Sequence, residues 1–417
     1  MAINRLPDEV LGEILLLSMM PLGKNLWSSP ELKTCHHWRR VAAERSPRIW
    51  SCLYITKRTP IECLDLWIAR SAAAPLHVHL TTSLFYSDHF FQSVWKGITQ
   101  KHSLRFWSLF LKLEGPKWTD YILPITFRFD NLRELRIHWG HSVHFTSRTV
   151  DIFDPVITPR HRLRMLEIQT SLRVRNIVMM PSFAASSLVE LVVGEQAAPD
   201  VVCEFLRQCQ VIQKLTWDLR HHETEPLWTP RPPRISIPTL ERLWIAGPLA
   251  ATFLLAADLP ALRRLVVFGT LSQAAVCKAI LEFAQITHLY IDFHRLDMRD
   301  VRSIFESLRN LEHLSYPWGE ETLKAILALT EWSEGATGHG RVWHCPRMKR
   351  LHLIIGPAIA SYRLQADMAR FCLGSVMHVR AKSTDAPLDI IIDDAQETEQ
   401  FAYIGVQRAP CASFPTV

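Results

Sequence analysis

Leu240-Glu241-Arg242-Leu243-Trp244-Ile245 is followed 22 residues later by Leu262-Arg263-Arg264-Leu265-Val266-Val267, and both stretches obey one rule: apolar, two variable, apolar, one variable, apolar. In an extended backbone the last two apolar positions fall on one face and the residue between them on the other. Each stretch is therefore a half-buried strand. The rule recurs at Leu132/Leu135/Ile137, Leu163/Leu166/Ile168, Leu188/Leu191/Val193, Ile212/Leu215/Trp217, Ile286/Leu289/Ile291, Leu311/Leu314/Tyr316 and Met348/Leu351/Leu353, with Phe106/Leu109/Leu111 as a tenth copy. Counted from Leu109, successive middle positions lie 26, 31, 25, 24, 28, 22, 24, 25 and 37 residues apart. Self-similarity at such a period marks a repeat architecture.

Between strands, Asp200 to Cys209, Ser272 to Ala284, Asp297 to Leu308 and Glu320 to Trp332 open on or near a capping or acidic residue and carry apolar groups at helical spacing, which predicts helices. Strand then helix, repeated, predicts a curved α/β solenoid with parallel strands on its concave face and helices on its convex face. Such an array grows without one central core, which suits 417 residues. The longest step contains Gly335, Gly338 and Gly340 and reads as an exposed insertion over Glu334 to Cys345. Those glycines lack the following Lys-Ser/Thr of a phosphate cradle.

Working outward to the N-terminus, the pattern changes. Pro7 suits the first turn of a helix, Asp8 and Glu9 complement its positive end, and Val10, Leu11, Ile14 and Leu15 fall on one side. Pro21, Gly23 and Asn25 break that helix. Ser29 and Pro30 start a second, in which Leu32, Cys35, Trp38, Arg39 and Ala42 recur at helical spacing until Pro47. About 50 residues cannot bury enough apolar surface to be comfortable alone, so this head needs the array or a partner to cover it.

Leu6-Pro7-Asp8-Glu9-Val10 with Ile14-Leu15, then Cys35-x-x-Trp38-Arg39-x-Val41, then Pro47-x-x-Trp50 and Leu53, resembles the F-box, in particular the F-box proteins abundant in mushroom-forming fungi. The following amphipathic helix (Ile61, Leu64, Trp67, Ile68) and Ala74-Pro75-Leu76-His77-Val78 also resemble the stretch after the F-box in those proteins. The repeats resemble leucine-rich repeats, although no copy keeps a clear Asn or Cys consensus position after the strand. The expected organisation is an all-α F-box head over 1–56, a linker helix and the first strand of the array over 57–100, the leucine-rich-repeat-like solenoid over 101–380, and a C-terminal strand with an acidic tail over 381–417.

The resemblance implies the substrate receptor of an SCF-type ubiquitin ligase. The F-box would dock on a Skp-type adaptor, which links it to a cullin, and the repeats would hold a protein substrate. Leu6, Pro7, Val10, Ile14, Cys35, Trp38 and Trp50 are the residues it implies for adaptor contact or head core, with Pro7 and Ile14 leaning toward contact and Trp38 toward core. The alternative is a non-ligase scaffold whose repeats bind a protein. On each strand the residue between the last two apolar positions is expected to face outward, giving Arg136, Glu167, Val192, Thr216, Trp244, Val266, Tyr290, Ser315 and His352. Trp244, Val266 and Tyr290 are consecutive, and with Phe268 they predict an aromatic-apolar substrate surface, open or covered by the chain itself.

Other chemistry is not indicated. There is no His-Glu-x-x-His, no Gly-x-Ser-x-Gly and no P-loop pattern, so neither an enzyme nor a cofactor or metal is expected. Net charge is only +6, and the densest basic run, Arg160, His161, Arg162 and Arg164, reads as a solvated strand edge, which argues against nucleic acid. Asp393, Asp394, Glu397 and Glu399 read as a solvated end to the array. Nine unpaired-looking cysteines predict reduced thiols in the cytosol or nucleus. No secretory leader is expected, and the apolar run Leu243 to Ala257, about 15 residues with Gly247 and Pro248, is short of the roughly 20 that span a bilayer.

Overall fold

A computed structural model describes residues 6–19, 35–56, 59–81, 95, 97–113, 129–139, 162–170, 185–194, 199–219, 234–268, 273–291, 298–317, 332–334, 341–343, 345–355 and 389–394. The chain divides into two compact units, residues 1–208 with 405–417, and residues 209–404. Both are α/β and built on parallel strands that follow one another in chain order.

In the first unit, α1 (Asp8–Met19) begins directly after Pro7, whose carbonyl accepts the Leu11 N–H at 3.0 Å. Next in the described chain, α2 (His36–Arg40) runs into a π-helical turn at Val41–Arg45. Pro47 ends this segment and opens α3 (Pro47–Trp50), because a proline at the first helical position gives up an N–H that would have no partner there. Leu11 and Leu15 of α1 are fully buried beside Val41, Ala42 and Ile49. Gly12 meets Ser46 so closely that a Cβ would collide with the Ser46 hydroxyl.

Strand β1 (Cys52–Ile55) follows at once and pairs in parallel with β2 (Leu76–Thr81), with α4 (Ile61–Arg70) as the crossover. The first strand of the array thus falls inside residues 1–56 and not in 57–100. Trp50, Leu53 and Ile55 obey the same apolar rule as the later repeats, and all three are buried. Head and array are joined through a shared residue, since Trp50 closes the helices and opens the first repeat. The sheet continues through β3 (Phe106–Leu113), β4 (Glu134–Trp139), β5 (Met165–Thr170) and β6 (Glu190–Val193), each parallel to the one before. The helix Pro199–Gln208 closes the unit on Val202, Phe205 and Leu206.

In the second unit, β7 (Lys214–Asp218) precedes a two-residue strand β8 (Ile235–Ser236), and β7 pairs with β9 (Arg242–Ala246). Strand β8 pairs instead with β10 (Ala257–Asp258). The main sheet proceeds through β11 (Arg264–Phe268), β12 (His288–Ile291) and β13 (His313–Pro317). Two short strands, β14 (Trp332–Glu334) and β15 (Arg341–Trp343), form an antiparallel pair, so the expected insertion carries a hairpin. Strands β16 (Arg350–Ile355) and β17 (Asp389–Asp394) complete the sheet, and Asp393 and Asp394 are strand residues paired with Ile354 and Ile355. Helices Ala250–Ala256, Gln273–Leu281 and Met298–Ser307 pack in succession. The expected helix over Glu320 to Trp332 lies outside the described residues except for Trp332, which opens β14.

The repeat rule predicts the core. Every described apolar position named by it, from Phe106 to Leu351, is 4% exposed or less. Transfer of that much hydrocarbon from water is the main force holding the strands, at about 25 cal/mol per Å². Trp217 is the largest replacement in the series and is accommodated edge-on against Phe253, with centroids 5.3 Å apart. Two polar devices repeat as well. At the start of seven of the strands two successive amides converge on one carbonyl of the preceding repeat, as when Arg263 and Arg264 both donate to Glu241 at 2.9 and 3.0 Å. The polar side chain just before the first apolar position bonds a carbonyl of the preceding repeat in five cases: Asn131 to Leu104, Ser187 to Leu163, Thr239 to Ile212, Gln285 to Leu259 and Asn310 to Ala284. These bonds satisfy turn carbonyls that packing would otherwise strand.

Candidate functional site

Two surfaces carry the residues singled out by sequence, one set by the 3.6-residue period of a helix and the other by the two-residue period of strands. The first is the outer side of α1. Leu11 and Leu15 point into the head, which leaves Pro7, Val10 and Ile14 outward at three- and four-residue spacing. Val10 is 45% and Ile14 37% exposed, large values for apolar side chains on a short helix. Leu6 is half-buried beside them. The geometry therefore separates the motif residues into an outward set and an inward set.

Trp50 belongs to the inward set. It is buried, its indole N–H donates to the Ala42 carbonyl at 2.6 Å, and the Arg70 guanidinium lies 4.6 Å from its ring centre. Trp38 and Cys35 are only half-buried, so Trp38 is less of a core residue than its motif position implies. Arg48 donates to Glu13 at 2.7 Å and ties α3 to α1 across solvent.

The second surface is the outward side of the strands in residues 209–404. The register aligns Thr216, Trp244, Val266, Tyr290, Ser315 and His352 in one row, as the repeat rule requires. Phe268, two residues past Val266, sits diagonally between the aromatic pair: its ring lies 5.4 Å from Trp244 and 4.6 Å from Tyr290. All four predicted residues, Trp244, Val266, Phe268 and Tyr290, are half-exposed and contiguous.

A neighbouring row escaped the sequence reading. Lys214, Arg242, Arg264, His288, His313 and Arg350 are in register on six consecutive strands. The His288 and His313 rings stack with centroids 4.2 Å apart and planes 18° from parallel. Burial, then His313 and the nearby arginines, pull the His288 pKa down to about 4, and burial and Arg350 also lower that of His313. The signal was present in the chain: each residue immediately precedes the middle apolar position of its repeat.

The corresponding face in residues 1–208 is different. Tyr54 hydroxyl and His79 Nε2 are 3.1 Å apart, and the His79 ring packs 4.1 Å from Phe110, which in turn meets His138 at 4.6 Å. Glu167 is only 3% exposed and is held by His138 Nε2 at 2.7 Å, by Gln169 at 2.8 Å and by Arg136 at 3.7 Å. Val192 is 4% exposed. Glu167 and Val192, expected to face outward, are therefore buried, whereas Tyr54, His79, Phe110, Arg136 and His138 on the same face are half-buried. Burial and neighbouring cations push His79 down to about 3 and His77 to about 4, so both are neutral acceptors or donors at pH 7.

Seven described cysteines are free thiols, four of them buried. Burial raises Cys203, Cys209 and Cys277 to about 12, which leaves them protonated and unreactive. Among the described residues no helix is long and apolar enough to cross a membrane. No family model matches the chain, and no curated protein matches it.

Proposed function

We propose that this chain is the substrate-recognition subunit of an SCF-type ubiquitin ligase, its head an F-box and its strands a leucine-rich-repeat-type array. The observation that carries the reading is the division of α1: Leu11 and Leu15 close the head while Pro7, Val10 and Ile14 stand exposed. An apolar stripe on a short helix is a site for a partner, here a Skp-type adaptor that connects to a cullin. The second unit supports the other half of the function, because its outward face offers contiguous aromatic side chains of the kind that anchor protein interfaces. The chain itself performs no bond chemistry. It raises the local concentration of a substrate lysine at a charged conjugating enzyme, in the cytosol or nucleus.

The test is co-purification of the full chain with a Skp-type adaptor. Wild type retains the adaptor, and Leu6→Ala with Pro7→Ala does not, while circular dichroism of the variant is unchanged. A wild-type chain that retains no adaptor where a known F-box protein does would overturn the ligase reading and leave the non-ligase scaffold.

A further inference from the structure

The row Lys214, Arg242, Arg264, His288, His313 and Arg350 places four cations and two imidazoles side by side on one face of one sheet. Neighbouring strands are about 4.8 Å apart, so the row spans roughly 24 Å. Like charges at that spacing repel, and a fold with no use for them would alternate signs. The residues one position earlier do alternate: Glu241 and Glu312 offset Arg263 and Lys349, with Lys349 donating to Glu312 at 2.9 Å. Arg242 and Arg264, in contrast, are exposed, and among the described residues no carboxylate pairs with either. At its last rung the register sets Arg350 against Asp389 of the edge strand β17.

The adjacent row, one alternation further along the strands, is uncharged and apolar at Trp244, Val266 and Tyr290, with Phe268 beyond. A cationic stripe beside an aromatic one selects a ligand that is acidic along one edge and apolar along the other. We propose that this face binds an acidic segment of a partner protein, about seven residues in extended form at roughly 3.3 Å each, running across the strands. Its carboxylates would lie on Arg242 and Arg264, with the imidazoles of His288 and His313 as further donors, and an apolar side chain of the same segment would pack on Trp244, Phe268 and Tyr290. The aromatic rings favour a peptide over single-stranded nucleic acid. They pack on one another at tilts of 46° and 38° and so form one continuous apolar surface for a side chain rather than separate platforms for successive bases. This assignment rests on the reading of the array as a substrate-holding surface and names the substrate class.

Fluorescence anisotropy of the full chain with a labelled (Glu-Glu-Leu)4 peptide tests it. Binding should weaken at least tenfold when salt is raised from about 50 to 300 mM, and at least tenfold in Arg242→Glu/Arg264→Glu, both exposed positions whose change leaves the circular dichroism unaltered. Trp244→Ala should weaken it several-fold, and a (Lys-Lys-Leu)4 peptide should not bind. Equal binding by wild type and the double charge reversal overturns the proposal, as does tighter binding of a twelve-nucleotide oligothymidine than of the acidic peptide at equal salt. Adaptor co-purification of the same variants reads the other reading separately. A chain that binds the acidic peptide and no adaptor keeps this inference and removes the ligase.

Discussion

Phe268 and Tyr290 are in ring contact at 4.6 Å, although the strand register pairs Tyr290 with Val266. The contact is diagonal: Phe268 stands two residues further along its strand and reaches across to fill the space between Trp244 and Tyr290. Three aromatic side chains from three successive repeats thus act as one surface. Aromatic pairs contribute about 0.5–1.5 kcal/mol each beyond burial. Phe268→Ala, which breaks both contacts, is expected to cost roughly 1–3 kcal/mol in a urea midpoint measurement. Trp244→Ala with Tyr290→Ala should abolish capture of substrate while adaptor retention is unchanged; retained capture would remove these residues from the site.

The two sides of α1 should respond oppositely to mutation. Leu11→Ala or Leu15→Ala opens a cavity in the head and is expected to cost about 2–4 kcal/mol of stability. Val10→Glu with Ile14→Glu changes only exposed positions and should cost less than about 1 kcal/mol. That second variant nevertheless is expected to lose the adaptor in a pull-down. Thermal melts beside the pull-down distinguish loss of fold from loss of contact.

Glu167 is a buried carboxylate with a cation on one side and an imidazole on the other. Glu167→Ala leaves Arg136 and His138 without it in a desolvated place, and should destabilise the first unit by about 3 kcal/mol. Glu167→Gln retains acceptor capacity and should cost less. Equal effects of the two changes would mean that packing rather than charge governs the position.

The half-buried His77 and His79 weaken the first unit as pH falls. In the folded chain His77 and His79 have pKa values of about 4 and about 3, below the unfolded value of 6.5. Between those limits the unfolded chain binds more protons, so stability rises with pH there and is lost as pH falls from about 6.5 toward 4. Each group contributes on the order of 2 kcal/mol of this loss by pH 5. Denaturation midpoints measured from pH 7.5 to 4.5 should fall progressively, and His79→Gln should flatten the curve.

Ligand binding at the second face has the opposite dependence. Burial first, then the neighbouring Arg264, Arg242, Arg350 and Lys349, lowers His288 and His313, while Glu312 works against the shift. A bound acidic segment supplies carboxylates to the pair and raises both pKa values. Affinity for (Glu-Glu-Leu)4 is therefore expected to increase as pH is lowered from 7.5 to 5.5, and His288→Gln/His313→Gln should remove that increase.

The core was legible because burial at a repeat position leaves a fixed chemical trace: every unit needs hydrocarbon at the same three places. The outward faces were legible only in part. Trp244 and Tyr290 announce themselves by residue type, whereas Arg242, Arg264, His288 and His313 are scattered along about 70 residues of chain and look unremarkable in any window. The densest linear basic run, Arg160 to Arg164, belongs to a different repeat. Asn131, Thr239, Gln285 and Asn310 do one job with different side chains, so the hydrogen-bonding position showed no consensus letter.

The sequence alone determined the strands, their spacing and their buried faces, because alternation and period are local properties of a chain. Tertiary structure decided which outward residues meet. Parallel pairing brought residues about 25 positions apart to within about 4.8 Å, and that register assembled the basic row. It also decided which outward residues stay outward. Glu167 and Val192 have the same alternation as Trp244 and Val266, but lie buried on one unit while the latter pair remains half-exposed on the other. No local pattern distinguishes them: Glu167 is closed in by Arg136 and His138 of the strand beside it, a neighbour that only the register supplies. Trp50 is the same lesson at the junction: its spacing assigned it to the head, and only the pairing of β1 with β2 made it the first core residue of the array.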